Sequence, residues 1–156
     1  MARAAKTYGA RALYVITPLM DQQSLVKMLV LHWTNGFGAA YNPTRCQALE
    51  MVRIQDSLEK AREDIAAAGG GYPQTVVTSA RKHSGSMSIS RFRELLETGN
   101  PYLLVFGTAW GLSRDCMEKS DHILDPIGGN TEYNHLSVRS ATSIILDRLL
   151  GRTALV

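Results

Sequence analysis

The sequence of 156 residues has little of several features that define whole classes of protein. It has two cysteines, Cys46 and Cys116, which lie far apart and outside any Cys-x-x-Cys pair, so a disulfide framework is excluded. We expect both thiols to be reduced and partly buried. No apolar run approaches the roughly 20 residues that cross a bilayer, and residues 1–8 lack the apolar core of a secretory signal. We therefore expect a cytoplasmic protein that does not span a membrane.

Metal-binding and phosphate-binding motifs are also missing. The four histidines are scattered, with no His-x-x-x-His or His–carboxylate pair at ligand spacing, so we predict no metal site. We expect His32, on an apolar helix face, to pack in a core. The chain has neither a Gly-Lys-Ser/Thr phosphate loop nor a Gly-x-Gly-x-x-Gly turn, and Ser84-Gly85-Ser86 is not a nucleophile elbow. P-loop, Rossmann and serine-hydrolase chemistry are thereby excluded.

The composition is that of an ordinary globular protein with a mild excess of positive charge. Hydrophobic residues make up 45% and charged residues 20%, and 156 residues suffice for one domain with a real core. The net charge of +3 favours a polyanionic partner, because neutralised phosphates release counterions on binding. Charge alone does not identify such a partner, since many basic proteins of this size bind no nucleic acid.

Short apolar runs alternate with longer amphipathic stretches along the chain. We predict strands at residues 12–17, 50–55, 74–78, 102–106 and 121–124. We predict helices at residues 21–33, after Asn42, from Ser57 to about residue 69, from Ser88 or Ser90 to Leu96, and at residues 136–150. Asp21 is the expected cap of the first of these, and Gly151 the expected stop of the last. The alternation predicts an α/β fold with a mostly parallel sheet and helices on both faces.

Glycines and polar residues follow two of the predicted strands. Residues 107–112 (GTAWGL) come after the fourth strand, and residues 125–129 (DPIGG) come after the fifth. Residues 130–137 then lead into the last helix. Ligands of open parallel sheets bind at the carboxyl ends of the strands, so these three segments are the candidate site. Gly107 and Gly111 could equally be simple turn glycines, and Ile127 an ordinary core residue.

The ordered motifs of the chain resemble those of the SPOUT class of RNA methyltransferases. FGTAWGL (106–112) is followed by a Pro-apolar-x-Gly turn at 126–129, by YNHLSVRSA (133–141) and by IILDRLLG (144–151). Upstream lie HWTNGFGAAYNPTRCQAL (32–49) and VVTSAR (76–81). This set is similar to a bacterial family of RNA methyltransferases whose members occur alone or fused behind a tRNA (guanine-N1)-methyltransferase. The resemblance covers essentially the whole chain.

The resemblance implies a single SPOUT domain over residues 1–156 with a deep trefoil knot at about residues 101–150. It implies S-adenosylmethionine (SAM) as cofactor, bent within the knot and held mainly by backbone groups. Glycines there would let backbone amides reach the ligand without an intervening Cβ, and Ile127 and Leu136 would flank the adenine. The implied cofactor-binding residues are Thr78, Ser79, Phe106, Gly107, Gly111, Leu124, Pro126, Ile127, Gly128, His135 and Leu136.

The resemblance also implies methyl transfer to tRNA or rRNA, with the ribose 2′-oxygen favoured over a base nitrogen. Arg3, in ARAAKTYG, matches the tail of the SpoU motif whose arginine assists deprotonation of the hydroxyl; Asn134 and Ser137 are the other candidate catalytic residues. Two departures exist: Ser137 stands where SpoU proteins have Asn, and Thr108-Ala109-Trp110 replaces a SpoU Glu. The alternative is a SPOUT module that binds RNA or dimerises with little or no catalysis.

Partners follow from the same resemblance. SPOUT proteins are typically homodimers whose RNA cleft is formed by both subunits. The candidate RNA contacts are Arg45, Arg81, Lys82 and Arg139. The segment that begins at Arg81 looks like either a mobile RNA-facing loop or a solvated surface loop. The family usually begins with a further strand ahead of the position of Ala2, so we expect this front strand to be missing.

Overall fold

The structure is a computed structural model that describes residues 1–152. Its backbone contacts divide the chain into two compact units, one spanning Met1–Asp64 and the other beginning at Ile65. The α-helices are α1 (Ala2–Thr7), α2 (Met20–Thr34), α3 (Phe37–Tyr41), α4 (Pro43–Leu49), α5 (Leu58–Ile65), α6 (Ile89–Leu96), α7 (Arg114–Glu118) and α8 (Val138–Leu150), and a π-helix spans Ala66–Gly70. The strands are β1 (Leu13–Ile16), β2 (Val52–Gln55), β3 (Gln74–Thr78), β4 (Tyr102–Val105) and β5 (His122–Leu124).

The first unit is built on a parallel pair of strands. β1 pairs with β2 so that Leu13 lies opposite Val52 and Ile16 opposite Gln55. The Tyr14 hydroxyl donates a hydrogen bond of 2.5 Å to Asp64 and so ties β1 to α5. Burial, with this hydrogen bond to a carboxylate, raises the pKa of Tyr14 to about 12. The phenol therefore stays protonated and keeps donating over the whole neutral range.

The long helix α2 differs from its prediction in its cap and in its buried face. No side chain caps its N-terminus, and Asp21 lies inside the first turn rather than ahead of it. The predicted core face is exposed, including His32, so the expectation that His32 packs in a core is wrong. The half-buried apolar side chains of α2 are Val26, Val30 and Trp33. Two apolar stripes compete on this helix, and periodicity alone selected the wrong one.

The second unit has a three-stranded parallel sheet in the order β4-β3-β5. β3 is the central strand: Val77 lies opposite Val105 on one side and Ile123 on the other. Its middle residues Thr75, Val76 and Val77 are buried, which explains the unbroken β-branched run QTVVT. All five predicted strands form, but they belong to two hydrogen-bonded sheets instead of the single sheet that we predicted.

The core of the second unit lies between its sheet and two helices. Its buried cluster consists of Val76, Phe92, Leu124, Ile145 and Leu149. Phe92 comes from α6, which Ser88 caps by accepting a hydrogen bond from the Arg91 amide at 3.2 Å. Leu149 follows Ile145 by four residues on α8, so both lie on the same face of that helix. Residues of both helices therefore lie in the same buried cluster as the sheet residues Val76 and Leu124.

Hydrogen bonds between Thr75 and Asp121, here called the Thr75–Asp121 bracket, join the start of β3 to the start of β5. The Asp121 carboxylate accepts hydrogen bonds from the Thr75 amide at 2.7 Å and from the Thr75 hydroxyl at 2.8 Å. The Asp121 amide in turn donates to the Thr75 hydroxyl at 3.1 Å. Hydrogen bonds to a charged acceptor are the stronger kind, so this reciprocal pair holds the register of the two strands.

Other local expectations are confirmed with small shifts. Asn42 caps α4, accepting from the Arg45 amide at 2.9 Å, with Pro43 in the first turn. α8 begins at Val138, two residues later than predicted, because Ser137 is its cap. Both cysteines are free and half-buried. The short helices α1, α3 and α7 were not predicted. Within residues 1–152, no helix is long and apolar enough to cross a membrane.

Replacing Phe92 tests this description of the core. Phe92 is 1% exposed and its ring meets Tyr102 edge-on at 5.2 Å between centroids. We expect Phe92→Ala to lower the free energy of unfolding by about 3–5 kcal/mol, because the cavity cannot close fully. Urea denaturation followed by circular dichroism measures it. Phe37→Ala, at a ring that is 83% exposed, is the control and should cost less than about 1 kcal/mol. Equal effects would contradict the assignment of the core.

Candidate cofactor site

Three loops begin at one edge of the second unit's sheet, because its three strands are parallel. β3 ends at Thr78, whose hydroxyl donates to the Val105 carbonyl of β4 at 3.0 Å. In the register of β3 and β5, Thr78 lies opposite Leu124. The predicted positions Thr78, Phe106 and Leu124 are thus brought together at this edge. The Leu124 side chain is fully buried in the core and Phe106 packs against it, so their backbone groups are what a ligand could meet.

The loop after β4 is a tight turn that closes on itself. Thr108 and Gly111 form an isolated bridge, with the Gly111 amide donating to the Thr108 carbonyl at 3.0 Å. Ala109 and Gly111 both have positive φ, 50° and 88°. A Cβ on Gly107 would lie 2.5 Å from the Gly111 carbonyl carbon and 2.6 Å from the Leu112 nitrogen. Gly107 is therefore required by the turn itself, a reason that differs from the predicted approach of a ligand.

The loop after β5 is the more open one. Pro126 and Ile127 are half-buried, and Ile127 packs against the core. Gly128 and Gly129 are exposed, and a Cβ on either residue would have no atom within 4 Å. Neither of these glycines has a positive φ. Here the absence of a Cβ is not needed by the fold, which leaves room for a ligand to approach the backbone closely.

The segment from Asn130 into α8 holds the predicted polar residues in structural contacts. The side-chain amide of Asn134 donates to the Ala80 carbonyl at 2.9 Å. Ser137 caps α8, accepting from the Ser140 amide at 3.2 Å, and its hydroxyl lies 2.9 Å from that of Ser140. His135 and Leu136 are exposed, Leu136 at 43%. The predicted catalytic pair Asn134 and Ser137 therefore already has protein partners, whereas the predicted adenine neighbour Leu136 is open to solvent.

Several hydrogen bonds and one ion pair hold the segment after β3 in place. The Ser79 hydroxyl accepts from the Arg81 amide at 3.0 Å and lies 3.0 Å from His83 Nε2. Lys82 forms an ion pair of 3.2 Å with Asp125, and the Ser86 hydroxyl donates to the same carboxylate. The hydrogen bond from Ser86, followed by that from Lys82, holds the pKa of Asp125 below its usual value. Sequence reasoning placed Asp125 in a candidate segment but gave it no role, although a carboxylate at the end of a strand was a signal for one.

The predicted basic residues lie in both units. Arg81, Lys82 and Arg139 belong to the second unit and are exposed, Arg139 in the first turn of α8. Arg45 belongs to the first unit, where its guanidinium lies over the Trp33 ring at 4.1 Å from the centroid. Arg3 also belongs to the first unit, exposed on the short helix α1, and its carbonyl accepts from the Thr7 hydroxyl at 2.9 Å.

Two hollows lie beside β5. One, of about 440 Å³, is lined by His83, Leu112, Arg114, Met117, Glu118 and Ile123. The other, of about 320 Å³, shares Met117, Glu118 and Ile123 with it. None of the predicted cofactor residues lines either hollow. Among residues 1–152, no group of three or more His, Cys, Asp or Glu side chains could hold a metal ion.

The groups at this edge of the sheet fit a cofactor that is bound by backbone hydrogen bonds and apolar contacts and not by ion pairs. The open glycines at 128 and 129 offer unobstructed backbone, and Ile127 gives an apolar surface beside them. No phosphate cradle of the kind that nucleotides require was found in the sequence. An adenosine-bearing ligand without phosphates, such as SAM, is compatible with these groups.

Substituting Gly107 tests whether its turn requires a glycine, unlike the open positions 128 and 129. We expect Gly107→Ala to lower the free energy of unfolding by about 1–3 kcal/mol, because the new methyl group would meet backbone atoms that cannot move away. Gly129→Ala is the matched control and should change it by less than about 0.5 kcal/mol. Thermal or urea unfolding measures both. If Gly107→Ala is as stable as the control, the described turn is incorrect.

The sequence of this chain is similar to those of known proteins. A family model described as SAM-dependent RNA methyltransferase matches residues 1–151. A tRNA (guanine-N(1)-)-methyltransferase of Nitratidesulfovibrio vulgaris is 46% identical over 149 residues, which are 96% of this chain and 35% of that protein. An uncharacterized protein of Aquifex aeolicus is 37% identical over 153 residues, 97% of this chain and 75% of that protein. The chain thus spans about a third of the length of the tRNA methyltransferases that it matches.

Solved structures share the fold of this chain. TrmJ from Z. mobilis ZM4 is similar with a TM-score of 0.63 at 19% identity, over 97% of this chain and 62% of that one. The TrmH/SpoU tRNA modifying enzyme of A. aeolicus has a TM-score of 0.57 at 23% identity, over 96% of this chain and 64% of that one. Identities this low show a shared fold, the α/β fold of SPOUT proteins. The family match over residues 1–151 shows that the chain belongs to a family of SAM-dependent RNA methyltransferases.

Proposed function

We propose that this chain binds SAM at the strand-end edge of its second unit and transfers the methyl group to RNA. The observation that carries the proposal is that three loops converge at the ends of β3, β4 and β5, with exposed glycine backbone at 128 and 129. A knot formed by residues 101–150, as in SPOUT proteins, is part of the proposal. Family membership supports SAM as the cofactor, and the fold supports the arrangement of the site.

The proposed roles divide between cofactor and acceptor. When bound, SAM supplies an electrophilic methyl group for an in-line displacement. Backbone groups at Gly107, Gly111 and Gly128 would hold it, and Ile127 would supply an apolar surface for the adenine. On the acceptor side, Arg3 assists removal of the hydroxyl proton, because a cation close to a developing oxyanion lowers the cost of its negative charge.

Exposed groups in the second unit support an RNA substrate. Trp110 is fully exposed on the turn after β4, and an aromatic ring in this position offers a surface on which an unpaired base can stack. The exposed cations Arg81, Lys82 and Arg139 are the proposed contacts to phosphates in this unit, and Arg45 in the other. The names of the longer relatives favour tRNA over rRNA.

The methylated atom has two candidates. Arg3, in its SpoU-like context, favours the ribose 2′-oxygen. The names of the relatives from Nitratidesulfovibrio and Oleidesulfovibrio favour N1 of guanine, although those proteins are about three times longer than the matched part. We propose the ribose oxygen, and analysis of the methylated nucleosides distinguishes the two.

A second candidate function is a SPOUT module that binds RNA or dimerises without catalysis. The contacts of Asn134 and Ser137 favour it, since both predicted catalytic side chains are engaged by the protein itself. A homodimer is compatible with both functions. The exposed apolar side chains Leu25, Met28 and Leu29 on α2 support it, because such a stripe is costly to leave in water.

Binding of SAM is tested by Gly128→Ala. We expect calorimetric titration to detect SAM binding by the wild-type chain and a dissociation constant at least about tenfold higher for Gly128→Ala, because the methyl group would fill the space beside the exposed backbone. The midpoint of thermal unfolding should be unchanged, since that space is open and the φ of residue 128 is not positive. No binding to the wild type at millimolar SAM would overturn the proposed function.

Methyl transfer is tested by Arg3→Ala. With tritiated SAM and bulk tRNA or rRNA, we expect turnover to fall by about 10²–10⁴-fold while the affinity for SAM stays unchanged. Lys6→Ala, a cation on the same helix α1, is the control and should retain turnover.

Two results would count against parts of this proposal. Turnover of Arg3→Ala equal to that of Lys6→Ala would remove Arg3 from the mechanism. Mass spectrometry of digested RNA should find the label on ribose, and label on guanine N1 would overturn the ribose assignment. A wild-type chain that binds SAM and RNA but transfers no methyl group would favour the non-catalytic module.

A further inference from the structure

Asp125 lies where two of the proposed functional segments meet. It follows β5 directly and precedes the loop that begins at Pro126. Its amide donates to the Met87 carbonyl at 2.8 Å, and the Met87 amide donates to the Ile123 carbonyl at 2.7 Å. Met87 thus lies beside the end of β5 as a short additional strand would. The backbone alone therefore brings the end of the segment after β3 to the start of the cofactor loop.

The Asp125 side chain extends this attachment further along the same segment. One carboxylate oxygen accepts from the Ser86 hydroxyl, and the other accepts from the Lys82 ammonium at 3.2 Å. At the far end of the cofactor loop, the side-chain amide of Asn134 donates to the Ala80 carbonyl at 2.9 Å. Both ends of the loop that spans residues 125–134 are consequently fastened to the segment that spans residues 80–87.

We propose that Asp125 is a positioning residue for the cofactor, which holds the loop at Pro126–Gly128 in its binding geometry through Ser86 and Lys82. The inference rests on the proposed function, since it concerns the same SAM site. Asp125 has no proposed contact with SAM or RNA. Its carboxylate restricts the loop before the ligand arrives, and a loop that is already ordered loses less conformational entropy on binding.

The two partners of Asp125 contribute unequally. The Asp125 side chain is 26% exposed, and that of Lys82 is 72% exposed. A solvated ion pair of this kind contributes little, whereas a half-buried hydrogen bond from a hydroxyl to a carboxylate contributes more. Ser86 is therefore the main partner of Asp125. The Lys82 pair is weak enough to open, so Lys82 remains available to a phosphate of RNA.

The test compares the SAM dissociation constants of four variants by calorimetry with the full chain. We expect Asp125→Ala to raise the constant by about tenfold, the loss that corresponds to one charge-assisted hydrogen bond. Ser86→Ala should raise it by about fivefold and Lys82→Met by less than about twofold. Asp125→Asn, which still offers an oxygen to Ser86, should restore affinity to within about threefold of the wild type.

A second readout separates positioning from general stability. Trypsin cleaves after Arg81 and Lys82, so cleavage there should be faster in Asp125→Ala, because the segment is released from the cofactor loop. Glu94→Gln is the control, since it removes a comparable pair of 2.6 Å with Arg91 on α6. It should change neither the affinity for SAM nor cleavage at these sites.

Each outcome has one meaning. Wild-type affinity in Asp125→Ala, with SAM bound normally by the wild-type chain, overturns the role of Asp125. Equal losses in Asp125→Asn and Asp125→Ala also overturn it, because the oxygen offered to Ser86 would then be irrelevant. A lower midpoint of thermal unfolding in Asp125→Ala without faster cleavage at Arg81 and Lys82 assigns it a stability role only and overturns positioning. A wild-type chain that does not bind SAM refutes the proposed function itself.

Discussion

The central strand β3 is the constraint on which the second unit depends. Its buried residues Thr75, Val76 and Val77 pair in parallel with a strand on each side, and the Thr75–Asp121 bracket holds the start of β5 in register. Parallel strands in register must end at the same edge. The loops that follow Thr78, Val105 and Leu124 therefore leave the sheet at the same edge. The position of the candidate site at this edge is a consequence of that pairing.

The glycines of this edge are there for two different physical reasons. Gly107 is needed because the backbone of its own turn passes close to it, so that a Cβ would collide with Gly111 and Leu112. Gly128 and Gly129 have open space around them, so the fold does not require them. The first kind maintains the shape of the loop, and the second leaves backbone accessible. Only the second kind is evidence of a ligand.

The secondary structure was largely predictable, because its signals are local. β-branched runs such as 74–78, and capping residues such as Asn42 and Ser88, act on neighbours within four residues. The buried face of α2 was not predictable in this way. Two apolar stripes share that helix, and which one is covered depends on residues distant in sequence. The exposure of His32 follows from the same uncertainty. Family motifs predicted which loops bind the cofactor, but they assigned no role to Asp125.

By itself, the sequence determined the α/β class, the strands, the family and the three loops that form the candidate site. Only the tertiary structure decided which side chains those loops use for their own support. Asn134 binds Ala80, 54 positions away in sequence, and Asp125 binds Ser86 and Lys82, 39 and 43 positions away. Contacts of that range leave no periodic trace, because they depend on the parallel pairing that brings the strand ends together.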